Sequence, residues 1–298
     1  LGPVGTNAHL LEFDSVHGRL GREVTFTDDS IDAGSGPIRV TAERDPAALP
    51  WSDVDVALEC TGRFTDRDAA ARHLENGSRR VLVSAPASGA DVTVVYGVNH
   101  DRLEPAHRVV SNASCTTNCL APVAQVLQER FGIARGFMTT VHAYTGDQPT
   151  LDTMHKDLYR ARAAGMSMIP TSTGAARALG LVLPALDGKL DGVAIRVPTP
   201  NVSCVDLAVD LDAPTTAESV NEAMRAAAAD GPLRGILGVT DRKLVSMDFN
   251  HDAHSSVLAT DQTRVMDGTM LRILAWYDNE WGFSSRMVDT ALAMGALD

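Results

Sequence analysis

Val109-Val110-Ser111-Asn112-Ala113-Ser114-Cys115-Thr116-Thr117-Asn118-Cys119-Leu120 runs from a short apolar strand, through a polar turn, into a helix. Ser114 fits an N-cap, because its hydroxyl can accept from a free N–H of the first turn. Cys115 then occupies that first turn. Unpaired N–H groups and the positive end of the helix dipole favour a thiolate there and are expected to lower the thiol pKa. The same groups can hold an oxyanion or a phosphate. The helix is expected over Cys115–Phe131, with Leu120, Val123, Ala124 and Leu127 at helical spacing. Position alone equally allows Cys115 to be a small residue packed at a helix start.

Moving toward the C-terminus, Gly136 to Thr145 reads as a long strand and contains His142, which lies 142 − 115 = 27 residues beyond Cys115. The intervening helix returns the chain, so the two can form a Cys–His arrangement. A lone histidine in a strand is otherwise a core residue. Polar groups suited to an anion follow: Thr145-Gly146-Asp147-Gln148, and Pro170-Thr171-Ser172-Thr173-Gly174-Ala175-Ala176, which opens a helix. Arg196 sits inside the strand Val193 to Val197, where a buried charge needs a partner or a ligand. Ser203 to Leu211 is another strand. The alternation Val209-Asp210-Leu211-Asp212 gives it one wet face. Thr216 to Ala229 reads as a helix capped by Thr216. Strands over Val257–Leu258, Thr263–Val265 and Met270–Trp276 precede a terminal helix from Glu280. This half reads as α+β with an antiparallel sheet. Gly146 to Gly165 has no period and is too long for an idle loop.

Toward the N-terminus, strands over Val54–Leu58, Arg80–Ser84, Val92–Tyr96 and Arg108–Val110 alternate with a helix over Asp66–Asn76. That order argues for a parallel α/β sheet, with a boundary near Ser114. The 298 residues suit about two domains. With 44% hydrophobic and 21% charged residues the chain can bury a sizeable core. The net charge is 26 − 38 = −12. It argues against a nucleic-acid surface and an anionic membrane, and no apolar run approaches about 18 residues. Four cysteines are too few for a disulfide scaffold, and none has metal-site spacing. A reduced, cytoplasmic protein without metal is expected. Cys60 and Cys204 read as small buried hydrophobes. Cys119 shares a helix face with Cys115, as a structural neighbour or a redox partner.

Several stretches together resemble the phosphorylating glyceraldehyde-3-phosphate dehydrogenases. They are Ser111 to Asn118, Thr140-Val141-His142-Ala143-Tyr144-Thr145, Arg160 to Ala164, Pro170 to Ala176, Arg196 to Ser203 and Trp276-Tyr277-Asp278-Asn279-Glu280-Trp281-Gly282. The likeness runs from His9-Leu10-Leu11 and Asp14-Ser15-Val16-His17-Gly18-Arg19 to the terminal helix. It implies a Rossmann-like cofactor domain (1–114, joined by the helix 280–298) and an α+β catalytic domain (115–279) with a mixed or antiparallel sheet.

The resemblance also implies roles. Cys115 matches the nucleophile and His142 the base that activates it. Ser114, Thr116, Thr173 and Gly174 match the site of the attacking inorganic phosphate. Thr145, Asp147, Arg160 and Arg196 match residues around the phosphate of the substrate, glyceraldehyde 3-phosphate. Arg44, Thr61, Gly62 and Ser84 match cofactor contacts, and Asn279 matches the residue that holds the nicotinamide carboxamide. NAD is the expected cofactor, with NADP not excluded. The segment Gly146 to Gly165 matches the family's loop at the core of a homotetramer. Gly146 departs from a frequent Asn and Phe283 from a common Tyr. Two rival readings accompany this one: an erythrose-4-phosphate dehydrogenase, and an inactive fragment serving as an assembly module. No Gly-rich strand-to-helix turn precedes Arg44, and the chain starts with Leu1-Gly2-Pro3. The expectation is a cofactor domain without its first βαβ piece, in a chain that alone binds NAD poorly or aggregates while the full gene product does not.

Overall fold

The computed structural model describes residues 2–297. Leu1 and Asp298, which the sequence assigns to the first segment and the terminal helix, lie outside the described residues. Helix α1 (Val4–Glu12) leads into a ribbon of β1 (Phe13–Asp14) and β2 (Gly18–Arg19). A small antiparallel sheet of β3 (Thr25–Phe26), β4 (Ser30–Asp32) and β5 (Pro37–Arg39) follows. These short, largely exposed pieces carry little periodic signal and are not visible in the sequence reading.

The expected parallel sheet is present. Strands β6 (Val56–Glu59), β7 (Arg80–Val83), β8 (Val92–Thr93) and β9 (Val109–Ser111) lie in the order β6-β7-β9-β8, all parallel. The strand expected over Val92–Tyr96 stops after two residues. Asn99 is the cause: its side chain accepts from the Val95 N–H at 2.8 Å and donates to the Thr93 carbonyl at 3.0 Å, taking groups a ladder would need. The helix expected over 66–76 is likewise divided. Asp66 caps α2 (Arg67–Ala71) by accepting from the Ala69 N–H, and a tighter 3-10 turn covers Arg72–Leu74. Gly77 then closes the turn at φ 112°, so near Ser52 that a Cβ would sit 2.8 Å from its Cα.

Helix α3 (Cys115–Phe131) has the expected bounds, from the Ser114 cap to Gly132 at φ 69°. Beyond it come β10 (Ile133–Ala143), β11 (Ile169–Ser172), α4 (Ala175–Val182), β12 (Leu190–Val197), β13 (Ser203–Leu211), α5 (Ala217–Ala229), β14 (Leu237–Thr240), β15 (Ser256–Ala259), β16 (Arg264–Met266), β17 (Met270–Tyr277) and α6 (Trp281–Gly295). The strands form one sheet in the order β11-β12-β10-β13-β17-β15-β14, with β16 beside β17. This sheet is mixed, as the resemblance implies, with parallel pairs that the periodicity of the strands alone does not reveal. β10 pairs with β12 in parallel, as does β14 with β15. The β10–β12 pairing is parallel because the connection between them carries β11 and α4 before the chain re-enters the sheet.

Helices α3, α4 and α5 cover one face of this sheet. Leu120, Leu127, Met138, Leu179, Leu207, Met224 and Ile273 are fully buried there. The opposite face carries Arg135–Asp210 and Arg272–Asp206 ion pairs at 2.8 and 2.7 Å, the wet face that the alternation foretold. Terminal helix α6 packs on the parallel sheet, where Met287 and Met294 meet Leu82 and Val110. Phe283 joins this packing rather than lining a polar wall. Thr290 ties the helix to the turn before α3 by donating to Asn112 Oδ1 at 2.8 Å. Among the described residues no helix is long and apolar enough to cross a membrane.

Candidate active site

The turn between β9 and α3 is strained and heavily braced. Ala113 is buried at φ 56°, a left-handed conformation costing a non-glycine residue about 1–3 kcal/mol. Ser111 Oγ accepts from its N–H at 3.2 Å and donates to the Ala85 carbonyl at 2.8 Å. Asn118 reaches back from α3 to donate to the carbonyls of Asn112 and Ser114 at 2.9 and 3.0 Å. Ser114 Oγ accepts from the Thr117 N–H at 3.1 Å, as an N-cap should. Cys115 is thereby held at the junction of the two sheets.

The parallel pairing of β10 with β12 sets His142 directly opposite Arg196. His142 Nε2 lies 3.5 Å from Cys115 Sγ. His142 Nδ1 is 2.7 Å from the Ala143 carbonyl and 2.8 Å from Arg196 Nη1, which also donates to that carbonyl at 2.9 Å. A guanidinium only donates. Two proton arrangements therefore compete. With its proton on Nδ1, His142 donates to Ala143 and presents the Nε2 lone pair to the thiol. With Nδ1 accepting from Arg196, the proton sits on Nε2 and faces sulfur.

Burial pushes His142 down to about 4, and the Arg196 charge adds to the effect. The imidazole is thus neutral at pH 7 and available as a base. Burial also raises the Cys115 thiol, against the Arg196 charge and the Thr116 hydroxyl and N–H, which lower it. This corrects the expectation of a depressed thiol pKa. The helix terminus acts in the expected direction, but desolvation of the anion outweighs it. The pair rests as thiol and neutral imidazole. Cys119 is buried and faces away, donating to Ser256 Oγ at 3.5 Å, and all four cysteines are free thiols.

Two side chains that sequence reasoning missed complete the floor. The buried Tyr277 hydroxyl is shared between Thr116 Oγ1 and Thr140 Oγ1, each at 2.9 Å, and its ring stands edge-on to His142. Ser203 Oγ accepts from the Ala143 N–H at 3.0 Å and donates to Asn279 Oδ1 at 2.7 Å. Both lie inside stretches that carry the resemblance, the only signal that singles them out.

Around this centre the anion-suited groups fall into two sets. Thr117 Oγ1 donates to the Ala175 carbonyl at 3.4 Å, which brings the first turn of α4 against that of α3. Thr173 and Gly174 thus stand beside Ser114 and Thr116, with Gly174 at the α4 N-cap and Thr173 Oγ1 accepting from the Ala175 N–H. In the second set, Gln148 Oε1 accepts from the Thr145 N–H at 3.0 Å, Gln148 donates to Asp147 at 3.2 Å, and Asp147 pairs with Arg160. Asp147 and Arg160 both act on the charge of Arg196. Arg196 Nε is buried and has no hydrogen-bond partner.

Comparison with known proteins bears on this cluster. Residues 114–279 match the family model "Glyceraldehyde 3-phosphate dehydrogenase, C-terminal domain" and residues 1–67 match "Glyceraldehyde 3-phosphate dehydrogenase, NAD binding domain". The chain belongs to the glyceraldehyde-3-phosphate dehydrogenase family. The glyceraldehyde-3-phosphate dehydrogenase of Cereibacter sphaeroides is 69% identical over 297 residues, covering 100% of this chain and 89% of that protein. That of Xanthobacter flavus is 68% identical over 299 residues, with the same coverage. The Geobacillus stearothermophilus enzyme is 55% identical over 98% of this chain and 88% of its own length.

The family's NAD-binding domain directs attention to the carboxyl ends of the parallel strands, where such sheets take their ligands. Thr61 and Gly62 follow β6 and Ser84 follows β7. Arg44 and Thr61 line a cavity of about 500 Å³ with Glu43, Phe64 and His73. Gly62 has φ 70° and open space where a Cβ would point. Asn279 is nearly buried, and its Oδ1 is engaged by Ser203, so its amide N–H groups are the ones left to meet a carboxamide oxygen. An aromatic and a cation on the cavity, hydroxyls at strand ends and an amide oriented through Ser203 beside the His142 strand are a chemistry that fits a dinucleotide. Among the described residues no group of three or more His, Cys, Asp or Glu is placed to hold a metal.

Proposed function

We propose that this protein oxidises D-glyceraldehyde 3-phosphate to 1,3-bisphosphoglycerate with NAD and inorganic phosphate, as a cytoplasmic enzyme of glycolysis. The observation that carries the reading is Cys115 Sγ at 3.5 Å from a neutral His142 Nε2, on the strand paired with Arg196. As sulfur attacks the aldehyde carbon, its proton passes to Nε2 and Nδ1–H stays with Ala143. The imidazolium returns that proton to the thiohemiacetal oxygen, which sits near the free N–H groups of the α3 first turn, leaving a hydroxyl and a neutral ring. NAD, when bound, supplies the hydride acceptor. His142 removes the hydroxyl proton while hydride leaves the same carbon, and a thioester remains on Cys115. Phosphate oxygen attacks the thioester carbonyl, the C–S bond breaks, and the thiol regains its proton.

The remaining roles rest on the likeness to the family, and the placement of the side chains supports them. Ser114, Thr116, Thr173 and Gly174 hold the attacking phosphate between two helix N-termini. Thr145, Asp147, Arg160 and Arg196 form the substrate-phosphate site, and the buried Arg196 Nε supports this. Arg44, Thr61, Gly62, Ser84 and Asn279 contact NAD. The division into a cofactor part (1–114 with 280–298) and a catalytic part (115–279) agrees with the packing of α6 on the parallel sheet. A homotetramer is supported by the apolar side chains between β10 and β11. Leu151, Met154, Leu158 and Met166 are at least 75% exposed, more than a free surface loop sustains. The test is an assay with purified protein. NADH formation from glyceraldehyde 3-phosphate should require phosphate, and turnover undiminished without phosphate would overturn the reading in favour of a hydrolytic relative.

A further inference from the structure

A second buried titratable pair lies outside the chemistry just described. Glu59 and His73 are 2% and 5% exposed. His73 Nε2 is 2.8 Å from Glu59 Oε2, and Trp51 Nε1 is 3.0 Å from His73 Nδ1. An indole N–H only donates. His73 Nδ1 is therefore the acceptor, and the proton of the neutral ring sits on Nε2, where it donates to Glu59. The other carboxylate oxygen accepts from the Thr61 N–H at 2.8 Å and from the Thr61 hydroxyl. Thr61 Oγ1 accepts in turn from the Arg63 N–H at 3.1 Å. Donors thus converge on one carboxylate from both sides. Burial raises the Glu59 carboxyl, but the bonds from His73 and Thr61 outweigh it and keep it below its ordinary range.

These residues come from separate parts of the chain. Trp51 precedes β6, Glu59 ends it, and His73 lies in the turn after α2. Thr61, Gly62 and Arg63 are exposed and have little packing of their own. Their geometry comes from the Glu59 bonds. Glu59, Thr61, Arg63 and His73 all border the cavity of about 500 Å³. We propose that Trp51, His73 and Glu59 are positioning residues for the dinucleotide, fixing the Thr61–Arg63 wall so that NAD meets a preformed surface. This rests on the NAD reading above. Without the relay the loop must be ordered by the ligand itself, which weakens binding and leaves the chemistry at Cys115 alone. The other charged groups near the relay are Glu43, Arg44 and Arg63 on the cavity, and the Asp45–Arg72 pair at 2.6 Å.

The experiment is NAD titration calorimetry on the full gene product, beside steady-state kinetics. His73→Leu leaves Trp51 without an acceptor and Glu59 without a donor. It should raise the NAD Kd and KM about tenfold or more, with kcat at saturating NAD within about twofold. His73→Gln keeps one acceptor and one donor and should recover most of the loss. Nitrogen NMR of histidine-labelled wild type should show the proton of the neutral His73 ring on Nε2 and not on Nδ1. An unchanged Kd in folded His73→Leu, a glutamine variant no better than the leucine one, or an Nδ1–H tautomer would each overturn the relay. Should the leucine variant not fold, the glutamine variant and the tautomer decide. The full gene product binding no NAD refutes the cofactor reading, whereas its normal binding with no effect of the variants refutes the relay alone.

Discussion

Two buried histidines are held in opposite ways. His142 faces a thiol and a guanidinium, with only a backbone carbonyl to accept from it. His73 faces a carboxylate and an indole N–H. Each has an aromatic ring edge-on: Tyr277 at 5.9 Å for His142, Phe64 at 6.4 Å for His73. The difference lies in proton freedom. Around His73 a donor-only neighbour and an acceptor-only neighbour allow one tautomer. Around His142 the carbonyl and Arg196 favour different ones, so a proton can appear on Nε2 or leave it at small cost. A catalytic base needs the second arrangement, and a structural tie needs the first. Among the described residues no carboxylate hydrogen-bonds to His142, which also keeps it from being trapped as imidazolium.

The largest effect expected is at the atom His142 serves. Cys115→Ser should lower kcat by at least about a thousandfold, since an alcohol holds its proton more tightly than a thiol. A loss below tenfold in a phosphate-dependent assay would mean that His142 faces something other than the nucleophile. His142→Gln comes next, with about a 10²–10⁴-fold loss in kcat. It carries a second readout. His142 is pushed from 6.5 to about 4 in the folded protein. Between those values the unfolded chain binds the proton and the folded one does not. Stability is therefore fully present above about pH 6.5 and is lost as pH falls toward 4, by about 3 kcal/mol. Urea unfolding at both ends of that window should show wild type losing this much more than His142→Gln. Equal losses would show that the ring is not buried as a neutral base.

The same contrast marks what the sequence makes legible. Capping and periodicity are local, so α3 was readable from Ser114 to Phe131 and β13 from Ser203 to Leu211. Cys115 and His142 could be paired because one helix separates them. Register is not local. That β10 runs parallel to β12, and so places Arg196 against His142, depends on a connection whose residues show no period. The direction of the thiol pKa was misread for a related reason. A helix terminus is visible in sequence, while the burial that outweighs it is a property of the packed whole. Tyr277 and Ser203 were hidden among apolar strand residues, and the Trp51–His73–Glu59 tie spans segments whose spacing carries no motif.

Thiol reactivity sharpens the comparison at a smaller scale. Burial pushes Cys204 up to about 11, and Cys119 is raised further and fully enclosed. Cys115 is raised too, but it alone among these three has an imidazole within reach of its proton. Iodoacetamide near neutral pH should label Cys115 faster than Cys119 or Cys204, and His142→Gln should slow that labelling about tenfold. Labelling of Cys204 at an equal rate would break the argument that His142 is a working base.

The smallest effect is expected from the ring that stands edge-on to His142. Tyr277→Phe keeps the ring and removes the hydroxyl shared by Thr116 and Thr140. Those two hydroxyls are then left facing each other across the space of one oxygen, and folding stability should fall by about 1–3 kcal/mol. Activity should change less than about threefold, because proton transfer runs between Sγ and Nε2 and the phenol touches neither. The phenol braces the floor through Thr116, one residue past the nucleophile, much as Phe64 flanks His73 without sharing its proton. A kcat loss above about tenfold, with stability unchanged, would move Tyr277 from the floor into the chemistry. It would also mean that His142 has a third proton partner, and the contrast between a free and a locked histidine would have to be redrawn.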